Sequence, residues 1–431
     1  MYGFWPLIWV FAVPLLLALK DKPLKVRLGY GVFWGSCAYG LMTQGLIRIS
    51  PAGFLAFVVS LSCQVLIFSC FFISSRRWWV NVIYFPLLWC ISELLRNKLL
   101  GGFSFYISHA HAFCPVMLKL YGTVGCLGMS FIIILVNALL YVAVIDRKRR
   151  VNYLFTAIII FLSVVAIGVV KKEQVSPSAR HLRISIIQGN ISPTEKMDAA
   201  LFDRNVGIHL TLTEQSYQIA HPNLVIWPET AFPDDLLQSD RWLPVIKAQA
   251  LHMNADLLMG IAPIINGKEY NSALLINAHG QMVGLYHKQA LVPFSETTPF
   301  SAWGIDWGRG YHISPGNRPG VFALGREALR FGVVICSESA NPGLVAKLRR
   351  EGADFLVEIS NDGWFNDRPS CLLHSEAAVM RAVENHWWVI RVANTGFSFA
   401  VDPDGVIHTD MNIKLWHEGF GIFDIMVNKP S

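Results

Sequence analysis

The unequal distribution of apolar and charged residues constrains this chain more than any other feature. Before residue 172 six apolar runs follow one another, roughly Phe4 to Leu19, Leu28 to Ile47, Ala52 to Ile73, Trp78 to Leu95, Leu120 to Ile145 and Tyr153 to Val170. Each approaches the length that a bilayer core of about 30 Å demands of an α-helix. Residues 1–172 carry 16 Lys and Arg but three acidic residues, Asp21, Glu93 and Asp146, whereas the remainder carries 20 and 27. The basic excess sits in short loops between apolar runs, which argues against a nucleic-acid partner. Residues 1–22 lack a basic start and a small-residue cleavage pattern, so they read as an anchor and not as a cleaved signal.

The loops set an expected orientation. "KDKPLKVR", "SSRRWW" and "DRKRR" hold most of the positive charge, and the alternate loops hold less. By the positive-inside rule the first set is cytoplasmic, and an even number of spans puts both termini outside. Six of the eight cysteines lie in the apolar part and read as small packing residues. No metal-ligand spacing connects Cys336 and Cys371, so neither a metal nor another cofactor is expected.

Past a Ser/Pro linker, "QVSPSAR", short β-rich runs alternate with helical stretches. "HLRISIIQGN", "NLVIWPE", "DLLMGIA", "LRFGVVIC", "DFLVEISND", "WWVIRVAN" and "GFSFAVDPDG" read as strands, and "NSALLINAHGQMVGLYHK" as a hairpin turning at His279-Gly280. Helices are expected over 199–220, 241–253, 342–350 and 371–386, giving a layered α/β domain. The boundaries are 1–172 for the helical membrane part, 173–180 for the linker and 181–431 for the α/β part.

Three polar residues follow predicted strands: Glu229 in "WPETA", Lys288 in "YHKQALVPFSE" and Cys336 in "GVVICSE". Each alone has a plainer reading, as a solvated strand end, a surface lysine and a packed thiol respectively. Together they supply a nucleophile, a base and a cation. A thiol becomes reactive when a neighbouring base takes its proton and a cation stabilises the thiolate. Glu229 suits the base, and Lys288 the oxyanion partner together with the backbone N–H of Ser337. Glu296 would hold the lysine in place. Asn341-Pro342 reads as the cap and first turn of a helix whose dipole would favour the thiolate.

These motifs, in this order, resemble the Glu-Lys-Cys sites of the nitrilase (carbon-nitrogen hydrolase) superfamily. "ELLRNKLLGGFSFY", "YGTVGCLGMSFIIILVNALLY", "QGNISPTEK", "SNDGWF" and "RVANTGFSFAVDPDG" are similar to segments of the apolipoprotein N-acyltransferase family of bacterial inner-membrane enzymes. The resemblance covers nearly the whole chain. It implies a membrane α-helical bundle of about six transmembrane helices followed by a periplasmic nitrilase-like αββα sandwich. It also implies catalytic Glu229, Lys288 and Cys336, supported by Glu296, Glu338 and Ser337. The family usually has tyrosine where this chain has Ser337, tryptophan where it has Met197, and Gly-Pro then Gln-His where "RPSCLLH" retains only His374. The family also commonly carries a further span at each end, which marks this chain as an expected compact or divergent member.

The reaction so implied is two-step acyl transfer. Cys336 takes an acyl chain from a membrane phospholipid as a thioester, and the N-terminal amine of a diacylglyceryl apolipoprotein then takes it from the thioester. The protein is expected to act as a monomer in the bilayer. Trp303, Trp307 and Tyr311, with Trp364 and Phe365, are candidates for substrate contact at the interface; packing on their own domain is the alternative. A membrane-tethered amidase and a non-catalytic lipid-binding relative are the competing functions.

Overall fold

The structure is a computed structural model describing residues 2–48, 51–99, 104–170, 179–292, 296–297, 313–325, 328–365, 367–410 and 413–428. It divides into two compact units, Met1–Lys172 and Glu173–Ser431. In the first, the α-helices are α1 (Val13–Leu19), α2 (Leu24–Met42), α3 (Pro51–Phe71), α4 (Trp78–Leu99), the short α5 (Pro115–Leu118), α6 (Tyr121–Ile145) and α7 (Arg150–Val170).

Four stretches among the described residues are helical, long and apolar enough to cross a bilayer, against the expected six: Gly53–Phe71, Trp78–Lys98, Tyr121–Ile145 and Arg147–Val169. Prolines explain the first difference. Pro6 lies in a 3-10 helix, Tyr2–Trp9, and α1 restarts with Pro14 in its first turn, so the first apolar run is split. The second, α2, is 19 residues long but includes Lys25, Arg27 and four glycines. Two of those glycines serve packing. A Cβ on Gly31 would lie 2.6 Å from Ser69 Oγ, and one on Gly35 would lie 2.9 Å from Ser62 Cβ. Small residues on both helices therefore let α2 and α3 approach closely, as membrane helices commonly do. The buried Arg96 of α4 donates to Gln64 and to the Phe105 carbonyl, each at 2.6 Å, so its charge does not face lipid unpaired.

The second unit alternates as expected. Its strands are β1 (Arg180–Gln188), β2 (Leu224–Ile226), β3 (Asp256–Ile261), β4 (Ile264–Ile265), β5 (Lys268–Glu269), β6 (Ser272–Ile276), β7 (Met282–His287), β8 (Val321–Leu324), β9 (Leu329–Ile335), β10 (Phe355–Ser360), β11 (Val389–Ala393), β12 (Phe399–Val401), β13 (Ile407–His408) and β14 (Gly419–Val427). The helices are α8 (Pro193–Lys196), α9 (Phe202–Ala220), α10 (Trp242–Met253), α11 (Pro342–Arg350) and α12 (Arg368–Asn385). Among the described residues, one six-stranded sheet runs β14-β1-β2-β3-β6-β7 and the other β13-β12-β11-β10-β9-β8. β6 and β7 form the expected hairpin, with Gly280 at φ +72° in its turn. β14 has no counterpart among the strands expected from sequence; it is nine residues long and pairs antiparallel with β1 throughout.

Strand alternation builds the layers. Leu182, Ile184 and Ile186 of β1 face Val333, Ile335, Val357 and Ile359 of the other sheet in one buried cluster. Residues of opposite parity, such as Ile187, Val225, Leu257 and Met259, pack on Val206, Ile246 and Met253 of α9 and α10. On the second sheet, Gly332 of β9 lies under Leu348 of α11. The result is an αββα sandwich whose strands are apolar on both faces, which is why they read as near-continuous hydrophobic runs.

Gly260 of β3 is where the fold meets the chain that carries Glu229. A Cβ there would fall 2.5 Å from the Pro228 carbonyl oxygen and 2.7 Å from Glu229 Cα, both backbone atoms unable to swing aside. Gly260→Ala should therefore cost about 1–3 kcal/mol, as overpacking does. It should also displace Glu229. Thermal unfolding in detergent checks the first effect, and a structure of the variant the second.

Candidate active site

Each candidate side chain is carried just beyond a strand. Glu229 follows β2, and the next residue, Thr230, has φ +50°. Lys288 follows β7 and donates its backbone N–H to the Asn271 carbonyl at 2.8 Å. Cys336 follows β9 with φ +55°. Left-handed backbone at a residue with a Cβ costs on the order of 1–3 kcal/mol and needs external support.

Glu338 supplies that support at the cysteine. Its fully buried carboxylate accepts from the backbone N–H groups of Ile335 (2.8 Å), Gln289 (2.7 Å) and Ala290 (3.0 Å), and from the Tyr286 hydroxyl (2.9 Å). It thus joins the turn after β9 to the loop after β7. Burial raises its pKa, and the backbone donors and Lys288 oppose that rise. Support at Glu229 comes from Lys196, whose Nζ donates to the Glu229 and Thr230 carbonyls, each at 3.1 Å. Burial pushes the Lys196 ammonium down to about 8, with Glu229 opposing.

The ionised groups alternate in sign. Lys288 Nζ, buried, lies 2.8 Å from Glu296 Oε1 and 3.8 Å from Glu229 Oε1. Asn271 Nδ2 bridges the two carboxylates, at 2.6 Å from Glu229 and 3.3 Å from Glu296. Burial alone would lower the Lys288 pKa, but Glu296, Cys336 and Glu229 outweigh it and hold the ammonium above its ordinary value. Glu229, Lys288 and Glu296 are thus in one cluster, and the charge of Cys336 acts on its cation.

A second cluster reaches Cys336 from its other neighbours. His374 of α12 places Nε2 3.6 Å from Cys336 Sγ and Nδ1 2.7 Å from Asp362 Oδ1. Asp362 is held by Arg391 of β11, which also pairs with Glu358, all three buried. Burial disfavours the His374 imidazolium, but Cys336 and Asp362 outweigh it and raise its pKa well above the ordinary value. In the sequence His374 stands only as the part of "RPSCLLH" that fits the family pattern, Lys196, Asp362 and Arg391 lie in family-like segments without a role of their own, and Asn271 carries no motif. The one signal available was polar residues, Glu358 and Arg391, inside strands that otherwise read as apolar.

Other expectations fare differently. Phe365 packs with its ring 5.5 Å from that of His374, while Trp364 stands 55% exposed. Among the described residues, Ser337 Oγ is buried with no hydrogen-bond partner. Trp303, Trp307 and Tyr311 lie outside the described residues. The helix capped by Asn341 begins at Pro342, beyond a separate 3-10 turn, Cys336–Ala340, so its N-terminus is not at the thiol. The cause is Glu338: folding back to the Ile335 N–H closes a tight turn before the helix starts.

The αββα sandwich thus carries a buried lysine between two carboxylates and, after β9, a cysteine at positive φ. Residues 183–428 match the carbon-nitrogen hydrolase family, and the chain belongs to it. Residues 1–139 match the apolipoprotein N-acyltransferase N-terminal domain. Over 433 residues the chain is 28% identical to an apolipoprotein N-acyltransferase of Geobacter metallireducens, covering 94% of this chain and 82% of that protein. It is 27% identical to one of Rickettsia prowazekii, covering 89% and 75%. Among solved structures, Nit3 of Saccharomyces cerevisiae, a member of branch 10 of the nitrilase superfamily, is similar with a TM-score of 0.46 and 20% identity, covering 59% of this chain and 93% of that one.

The His374 pairing has a pH signature. A histidine whose folded pKa is raised adds stability that is full below its unfolded value, about 6.5, and is lost as pH rises through the higher folded value. The stability difference between the unaltered protein and His374→Gln should therefore be largest below about pH 6.5 and shrink on the alkaline side. Denaturant or thermal unfolding across pH measures it.

Proposed function

We infer that this chain is a membrane acyltransferase of lipoprotein maturation. It transfers an acyl chain from a membrane phospholipid to the N-terminal amine of a diacylglyceryl apolipoprotein. The observation that carries this reading is the joining, in one chain, of an apolipoprotein N-acyltransferase N-terminal match to a carbon-nitrogen hydrolase domain. A hydrolase acting on soluble amides has no use for membrane helices. Two lipid substrates do, because lateral diffusion then delivers both without leaving the bilayer.

Cys336 is the nucleophile that carries the acyl chain as a thioester. Lys288, fixed by Glu296 and facing Glu229, stabilises the oxyanion of each tetrahedral intermediate. Glu229, oriented by Asn271, serves as the general acid-base group. Glu338 keeps the Cys336 and Lys288 segments in register. The protein is a multi-pass inner-membrane protein, and its catalytic domain faces the periplasm, a reading supported by the basic loops assigned to the cytoplasmic side.

Membranes bearing the protein, supplied with a diacylated lipopeptide, should convert it to the triacylated form by mass spectrometry. Cys336→Ala should lower that rate at least about a thousandfold, and Glu229→Gln or Lys288→Met about a hundredfold or more. Cys371→Ala should be silent, because that thiol is buried and pushed up to about 12 by burial, with Asp362 and Asp367 adding to the shift. Equal activity of the Cys336→Ala protein would remove the proposal. Release of free fatty acid without acylated peptide would make the chain a hydrolase instead.

A further inference from the structure

Cys336 has an acid-base partner that the Glu-Lys-Cys description leaves without a task. His374 Nε2 is the ring atom that meets Sγ, at 3.6 Å, a distance suited to a hydrogen bond involving sulfur. The other ring nitrogen is committed. Nδ1 donates to Asp362 Oδ1 at 2.7 Å, which fixes the tautomer and leaves Nε2 as the atom that gains or loses a proton toward sulfur. Asp362 is in turn fixed by Arg391 Nη2, at 3.0 and 2.9 Å to its two oxygens, and by the Ser360 hydroxyl at 3.0 Å. A nucleophile, a base and a carboxylate that orients the base are thus in line, each within reach of the next.

We propose that His374 is a second acid–base residue beside Glu229, the resting acceptor of the Cys336 thiol proton, so that the enzyme waits as a thiolate–imidazolium pair. The proposal rests on the reading of Cys336 as the acyl-transfer nucleophile, and it redistributes the proton transfers. The S–H bond breaks, an N–H bond forms at Nε2 and the electron pair stays on sulfur. The thiolate then adds to the ester carbonyl carbon. When the C–O bond to the phospholipid breaks, the departing oxygen takes the Nε2 proton, leaving a lysophospholipid hydroxyl, a thioester and a neutral imidazole. In the second half the amine nitrogen bonds to the carbonyl carbon, and the C–S bond breaks with its electrons on sulfur. The surplus proton of nitrogen goes to Glu229 and, by exchange with water, back to Nε2. Glu229 therefore handles the acceptor amine and His374 the thiol.

The charges around His374 fit this task from each element packed on it. The Cys336 sulfur comes from the turn after β9 and Asp362 from the turn after β10; Arg391 of β11, with Nη2 3.2 Å from Nδ1, opposes the imidazolium, but its charge is taken up by Glu358 and Asp362. The Phe365 ring covers one side of the imidazole. Lys288, beyond the end of a strand of the other sheet, is also within electrostatic reach of the sulfur.

The test is the alkylation rate of Cys336 in the full chain in detergent micelles. Iodoacetamide is the reagent, read at the Cys336 peptide by mass spectrometry because the chain has eight cysteines. This measurement uses no lipid, so its outcome is independent of whether acyl transfer is the reaction. The unaltered protein should keep most of its pH 9 rate at pH 6, whereas a free cysteine, half-ionised near pH ~8.5, loses nearly all of it. His374→Gln and His374→Asn should each lower the ratio of the two rates about tenfold. The Asn variant preserves an amide donor toward Asp362 and so separates loss of Nε2 from loss of the anchor; either variant, if folded, suffices. Glu229→Gln should leave the ratio unchanged or raise it. A free-cysteine profile in the unaltered protein overturns the proposal. So does a ratio within twofold of the unaltered protein in the folded His374 variants, or a tenfold fall in Glu229→Gln.

Discussion

The site depends on one buried carboxylate. Glu338 accepts hydrogen bonds from both sides of the sandwich: Ile335 belongs to one sheet, while Tyr286, Gln289 and Ala290 belong to the other sheet and its loop. Such a group is costly to bury, and the cost is offset only while all its donors are in place. That condition makes it a clasp. If the two sheets slid by a fraction of a residue, several bonds would fail together, and the strained turn at Cys336 would lose its restraint.

Around this clasp the chemistry is arranged as alternating charge. Glu296, Lys288 and Glu229 form one series, and His374, Asp362, Arg391 and Glu358 form another, which meets Cys336 through His374. Each ion is buried or nearly so, and each has an opposite neighbour, which is the condition under which buried charge is tolerated. The two series approach the thiol from different sheets. A reaction that must first give a proton to a departing alcohol and later take one from an amine gains from having two such groups.

Much of this was legible in one dimension. The apolar runs gave the membrane unit, and the motifs around Glu229, Lys288 and Cys336 gave the sandwich and its three polar strand ends. Legibility failed where composition misleads: the first run is interrupted by Pro6 and Pro14, and α2 spends its glycines on close packing with α3. It failed again at β14, whose alternation of buried and exposed residues is overlaid with glycine and aspartate. His374 was visible only as a letter, because what gives it a role is contact with residues 38 and 12 positions away.

The order of residues alone determined which segments are apolar enough to be buried, where strands end, and that a glutamate, a lysine and a cysteine occupy such ends. Those are local properties, written in periodicity and in the chemistry of single side chains. Only the folded chain decided which polar groups share a charge and which backbone is held under strain. It also decided which imidazole nitrogen faces the sulfur. Those follow from distances between segments far apart in sequence, set by how two sheets pack and by which donors a buried carboxylate can find.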